Sequence, residues 1–174
     1  MKTEKPDAVL RIRRVRPEDI PEIWELHRGG MNQYRVGVRE RVRRERYPDL
    51  LNPDLYYYYY PGEGELLAVE YDGQIIGMGG YTKINDRTCE LVRFSVARPF
   101  QGSGVGRLIL KTIILLAAQR GFTSFILQTS VRQDAAKFYE KEGFEDTGIR
   151  TNSPRLDKEL RLIGALGKNE VLDL

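Results

Sequence analysis

The clearest periodic stretch of the chain is residues 104–120, where Val105, Leu108, Ile109, Thr112, Ile113, Leu116 and Ala117 recur at steps of three and four. That spacing predicts a helix. Leu110, Ile114 and Leu115 widen its apolar surface and leave Arg107 and Lys111 as a polar stripe, so most of the helix should be buried. On either side the period shortens. "CELVRFSVA" (89–97) and "FTSFILQTS" (122–130) read as strands, the first closed by Pro99, which cannot donate to a ladder. A strand, a helix of this length and a second strand have the span of a right-handed crossover, so these two strands should be parallel.

The flanks extend the pattern. "AVLRIRRVR" (8–16), with Val9, Ile12 and Val15 apolar, predicts a first strand. Pro17 then opens a helix, "PEDIPEIWELHRG", expected to end at Gly29-Gly30. The segment from Tyr56 to Ile84 reads as β-structure, with Asp72-Gly73 as a hairpin turn because that pair tolerates positive φ. Ser130 and Gln133 stand at capping-box spacing before the helical run "QDAAKFYEKE", which stops at Gly143. "FEDTGI" (144–149) predicts another strand, and "KELRLIGAL" a short helix or a last edge strand, the strand being preferred. The result is one α/β domain over residues 1–174, its central sheet largely antiparallel with one parallel pair.

Composition narrows the chemistry. The chain has 174 residues, 41% of them hydrophobic and 30% charged, as in ordinary globular proteins. No apolar run reaches bilayer length and the N-terminal residues lack the apolar core of a signal peptide, so no membrane partner is expected. Cys89 is the single cysteine, which excludes an internal disulfide and suggests a reducing compartment, the cytoplasm. His27 is the single histidine and has no ligand-type residues at metal-binding spacing, and there is no G-x-S-x-G elbow, so neither a metal site nor a serine triad is expected. Residues 34–47 carry six arginines against two glutamates. Such a helix can be a solvated face, a nucleic-acid contact or a surface for an acidic substrate; no aromatic-basic RNA motif accompanies it, and no nucleic-acid partner is expected.

"RPFQGSGVGRLIL" (98–110) carries glycines at 102, 104 and 106 directly before the best helix. Glycine costs backbone entropy, so a reason is required. A phosphate-binding Walker loop would need G-K-[ST], but Arg107 and Leu108 follow Gly106; a dinucleotide fingerprint would need glycine at 107. What remains is a general anion site of backbone amides at a helix N-terminus.

At this point the residues resemble the GCN5-related N-acetyltransferases. "QGSGVG" (101–106) matches that family's Q/R-x-x-G-x-G/A segment, "CELVRFSVARPFQGSGVG" its fourth strand and following loop, and "AAKFYEKEGFEDTG" its later helix-to-strand block. The resemblance is close over residues 88–150 and extends over 8–84 only in the order of elements. It implies acetyl-coenzyme A as cosubstrate, bound in a wedge between two parallel strands that splay apart. The pyrophosphate would meet the loop Gln101, Gly102, Ser103, Gly104, Val105, Gly106 and Arg107, and pantetheine would lie along the strand edge at Ser95 and Val96. Arg132 stands where the family often has asparagine; it would pair with a coenzyme phosphate or be solvated.

The resemblance also implies direct acetyl transfer to a primary amine of a small molecule or peptide. The Val96 N–H, beside a bulge expected in residues 94–96, would polarise the thioester carbonyl. Tyr139 matches the family's general acid and Glu90 the position of a base in some members. Read without the resemblance, Tyr139 is a core tyrosine and Glu90 a cross-strand ion partner. A silent acyl-coenzyme A-binding module is the alternative function, and a homodimer is a frequent state of similar proteins. As a strand, Tyr56–Tyr60 would send Tyr57 and Tyr59 to one face, one set walling an amine pocket, with the nearby arginines favouring an acceptor that bears a carboxylate or phosphate.

Overall fold

The computed structural model describes residues 9–33, 44–130, 135–151 and 157–163. Its strands are β1 (Leu10–Arg14), β2 (Gly64–Tyr71), β3 (Gln74–Lys83), β4 (Thr88–Val96), β5 (Ser124–Ser130), β6 (Glu145–Arg150) and β7 (Asp157–Ile163). They form one sheet in the order β1-β2-β3-β4-β5-β7-β6. Every neighbouring pair is antiparallel except β4 and β5, which are parallel as the crossover requires. Asp72 and Gly73 both have positive φ, 50° and 76°, and close a tight hairpin with Tyr71 opposite Gln74.

Helices cover both faces. On one lie α3 (Val105–Gln119) and α4 (Ala135–Lys141), over a core that includes Ile109, Ile113, Phe125, Leu127 and Leu160. On the other lie α1 (Ile20–Gln33), α2 (Pro48–Leu51) and a π-helical turn at Asp54–Tyr58, around Ile23, Trp24, Leu50, Tyr57 and Met78. α3 comes unusually near the sheet because β3 offers glycines beneath it. A Cβ on Gly79 would sit 2.8 Å from Ile109 Cγ2, 2.9 Å from Ile113 Cδ1 and 3.0 Å from Phe94 Cδ2. We expect Gly79→Ala to lift α3 and cost about 1–3 kcal/mol of stability, read as a lower denaturation midpoint at unchanged slope; an unshifted midpoint would show that α3 has room to spare.

Several expectations are corrected. α1 continues through Gly29-Gly30 to Gln33. Gly30 is no helix terminator; a Cβ there would lie 2.9 Å from Ser95 Oγ, so its bareness lets α1 pack on β4. The tyrosine run is not a strand: Tyr56–Tyr58 end the π-helical turn, Tyr59 and Tyr60 follow in a bend, and β2 begins only at Gly64. Tertiary hydrogen bonds select that turn: the Tyr57 hydroxyl donates to Asp49 at 2.7 Å and the Tyr58 hydroxyl to the Leu66 carbonyl at 2.6 Å. Tyr57 and Tyr59 therefore do not share a face; Tyr57 is 2% exposed and Tyr59 64%. The final strand exists, but as β7 between β5 and β6 rather than at the edge. Of the arginine-rich segment, 34–43 lie outside the described residues, and Arg44–Arg46 form a 3₁₀ turn. Gln133 of the expected capping pair also lies outside them.

Candidate active site

β4 and β5 pair from Thr88 with Ser124 to Leu91 with Leu127, and there the ladder stops. β4 nevertheless continues to Val96 and β5 to Ser130. The two strands therefore separate in mid-sheet and open a wedge.

A bulge in β4 decides what faces this wedge. Met78 pairs with Ser95 and Gly80 with Val92, so Gly79 stands opposite two residues, Arg93 and Phe94. The expected bulge thus lies at 93–94, slightly before the 94–96 anticipated. Arg93 takes the left-handed conformation, φ 57°, which is costly for a residue with a Cβ. Side-chain facing inverts across it. Cys89 and Leu91 enter the α3-side core, and so do Phe94 and Val96, whereas Val92 packs with the α1-side cluster.

Backbone direction follows from the same register. The Ala97 N–H donates to the Ile76 carbonyl at 2.8 Å, which makes that pair hydrogen-bonded and the adjacent pair, Val96 with Gly77, the non-bonded kind. The Val96 N–H and C=O accordingly turn away from β3 toward the wedge. Gln101 Nε2 donates to the Val96 carbonyl at 2.9 Å, holding the loop against the strand end.

The glycine loop closes the wedge on the α3 side. Gly102 and Gly104 have φ of 78° and 94°, a conformation that favours glycine. Gly104 caps α3, and the first helical amide with an intrahelical acceptor is that of Leu108, bonded to the Gly104 carbonyl at 3.0 Å. The amides of Val105, Gly106 and Arg107 thus form the open, partly positive end of the helix. A Cβ on Gly106 would lie 3.7 Å from Phe94, Val96 and Phe138, so it would fit sterically yet occupy the groove. The Arg107 guanidinium is engaged by Glu142, Nε to Oε1 at 2.7 Å, which ties the start of α3 to the end of α4.

A cavity of about 740 Å³ passes through the sheet at the wedge. On the α3 side it is lined by Gln101, Gly102, Gly104, Gly106, Arg107, Phe138 and Tyr139, and on the α1 side by His27, Gly30, Met31, Glu90 and Arg93. Ser95 and Val96 lie between, with Gln128 to Ser130 of β5 opposite. Most residues singled out from the sequence thus converge on one space. Ser103 and Val105 stand in the loop without lining it: Ser103 Oγ donates to the Phe100 carbonyl and Val105 is buried in the core. Arg132 lies outside the described residues. None of Tyr56–Tyr60 lines the cavity, so the expected tyrosine wall is not there.

Tyr139 is 8% exposed and packs edge-on against Phe94 and Phe144, with ring centroids 5.8 Å away in each case. Glu90 has no hydrogen bond or ion pair to its carboxylate among the described residues. Burial raises its pKa above the ordinary 4.5, opposed by Arg93 and reinforced by the negative field of Glu159. Arg93 and Asp49 were not foreseen, and Tyr57, expected to lie on a strand face, instead holds Asp49. Arg93 Nε and Nη2 donate to Asp49 at 2.7 and 2.8 Å, and the guanidinium lies over the Tyr47 ring at 4.9 Å. Burial would raise the Asp49 pKa, but the hydrogen bonds from Arg93 and Tyr57 outweigh it and hold it below the ordinary range. One signal of the bulge was present: apolar alternation steps from 89 and 91 to 94 and 96.

Comparison with known proteins agrees with this architecture. The acetyltransferase (GNAT) family matches residues 30–144, and the chain belongs to it. That family uses acyl-coenzyme A. Among curated relatives, the chain is 34% identical over 85 residues to a probable N-acetyltransferase, camello, of Xenopus tropicalis, a match covering 47% of this chain and 39% of that protein. It is 28% identical over 123 residues to the N-acetylaspartate synthetase of Homo sapiens, covering 68% of this chain and 40% of the relative. The chain therefore spans less than half the length of these relatives. The solved structure of the PaiA N-acetyltransferase of Thermoplasma acidophilum in complex with coenzyme A superposes with a TM-score of 0.74 at 18% identity, covering 89% of this chain and 99% of that one. An acetyltransferase of Streptococcus agalactiae gives 0.75 at 16%, covering 91% and 99%. Both likenesses are of the overall fold. No helix among the described residues is long and apolar enough to cross a membrane.

Proposed function

We propose that this chain is an acetyl-coenzyme A-dependent N-acetyltransferase acting on a primary amine by direct transfer. The observation that carries the reading is the wedge itself: an open helix end, a strand edge with an outward N–H and a cavity reaching both faces of the sheet. The α3 side suits coenzyme A, because a pyrophosphate fits the free amides of Val105, Gly106 and Arg107, and the bare Gly106 leaves room for a chain between Phe94, Val96 and Phe138. When bound, the cosubstrate supplies the thioester. The acceptor ammonium first gives one proton to a base, the free amine nitrogen then attacks the carbonyl carbon, the C–S bond breaks, and the nitrogen loses its second proton as the thiolate takes one up.

Each residue has a part in that reading. The Val96 N–H donates to the carbonyl oxygen as negative charge develops there. Tyr139, on the α3 side, protonates the leaving sulfur. Glu90, on the α1 side, takes the proton of the ammonium, directly or through water. Placing the acid and the base on opposite faces of the sheet lets donor and acceptor enter separately. The N-acetylaspartate synthetase among the relatives supports an acceptor that carries an acid beside its amine.

The raised pKa of Glu90 sets the sign of a pH effect. Protonated, the carboxyl cannot accept a proton, so kcat/KM should fall as pH falls through a value above 4.5. Glu90→Gln should lower the rate at neutral pH and remove that limb. A profile of the same shape in the variant would take Glu90 out of the mechanism. Thiol release from acetyl-coenzyme A with a panel of amines tests the overall reading; coenzyme A binding without release for any amine would favour the silent module.

A further inference from the structure

Arg93 is the least expected residue of the cavity. It occupies the left-handed bulge position, where glycine would cost less, yet it lines the cavity and 27% of its side chain is exposed. Its guanidinium is held from one side only. Nε and one Nη2 hydrogen donate to Asp49 and the Tyr57 hydroxyl lies close to the guanidinium, while no other group among the described residues engages the remaining Nη hydrogens. Asp49 is itself fixed by the Tyr57 hydroxyl, and Tyr47 stacks beneath the guanidinium plane. The side chain is thus set in place before any ligand arrives, and little rotamer entropy remains to be lost.

We propose that this unused edge of Arg93 binds the carboxylate of the acceptor, making the substrate class amino acids and related amines that carry an acid next to the reacting nitrogen. The inference rests on the transferase reading above. Glu90 and Arg93 both line the α1 side of the cavity, so an amino acid meets complementary groups: its ammonium faces Glu90 and its carboxylate faces the guanidinium. Asp49 neutralises the overall charge of the pair, so Arg93 selects by directed hydrogen bonds rather than by long-range attraction. A polyamine offers nothing to those donors and, once it fills the cavity, leaves them cut off from water without an acceptor.

The test compares acids with amides in the intact chain. Thiol release from acetyl-coenzyme A is followed with aspartate, glutamate and phenylalanine, with the fully amidated form of each, and with spermidine. At least one free acid should exceed its amide by about 10²-fold in kcat/KM. Arg93→Gln should lower kcat/KM for that acid by at least about 30-fold more than for the amide, and Asp49→Asn should raise KM for the acid more than it lowers kcat. Amides or spermidine turned over as well as the acids by the wild-type protein would overturn the assignment while leaving the transferase reading intact. Equal losses on acid and amide in Arg93→Gln would overturn it too, reducing Arg93 to a holder of the bulge. Should that variant not fold, the wild-type comparison of acid with amide decides alone. Absence of thiol release with every amine, coenzyme A binding being retained, would defeat the transferase reading and this proposal with it.

Discussion

Tyr139→Phe should reduce the single-turnover rate of acetyl transfer by about 10²–10⁴-fold, the usual contribution of a positioned acid. The ring itself should stay put, because Phe94, Phe138 and Phe144 surround it and the substitution preserves their edge-on contacts. Affinity for acetyl-coenzyme A should therefore change little. Rapid-mixing measurements of thiol release, with cosubstrate prebound and acceptor saturating, isolate the chemical step from product departure. A transfer rate equal to wild type would remove Tyr139 from the reaction. A parallel loss of binding and rate would make it a packing residue of the α3-side core.

The second large effect is on cosubstrate binding. Coenzyme A at about one hundred times its Kd should stabilise the wild-type protein by about 2.7 kcal/mol, which for a chain of this size raises Tm by roughly 5–10 °C. Gly104→Asp should abolish that rise, since its carboxylate sits at the α3 N-terminus and takes up the amides that would meet the pyrophosphate. Gly104→Ala is the control. It bears the same conformational cost at φ 94° without the charge, and there is open space around its Cβ. Alanine should retain a clear shift and aspartate should not. If both variants are protected as strongly as wild type, the anion site is elsewhere.

Much of the α3 half of this site was legible along the chain. The helix at 105–119, the Asp72-Gly73 turn, the parallel strand pair and the glycine loop before α3 all come from local or nearly local signals. Apolar spacing, positive-φ preference and crossover length are local or nearly local quantities, so a linear reading recovers them. Glu90, Val96 and Tyr139, taken together from the family resemblance, line one cavity, because a family resemblance carries a fold with it.

Less of the α1 half was legible, and the reasons are physical. Five consecutive tyrosines have strong strand preference, but hydrogen bonds from Tyr57 to Asp49 and from Tyr58 to Leu66 outweigh it and wind Tyr56–Tyr58 into a π-helical turn. Gly29-Gly30 has the look of a helix end, yet Gly30 serves a close approach to Ser95 on a distant strand. The tail strand was visible, but only the pairing energy of two neighbours places β7 between β5 and β6. Arg93 is the sharpest case. Nothing adjacent in sequence explains an arginine at φ 57°; its partner Asp49 lies 44 residues away and is brought there by α2 packing with α1 on the same face of the sheet. Local preference dictates which segments can be helix or strand, while contacts between remote segments decide which strained or bare position is retained, and those contacts exist only once the chain has folded.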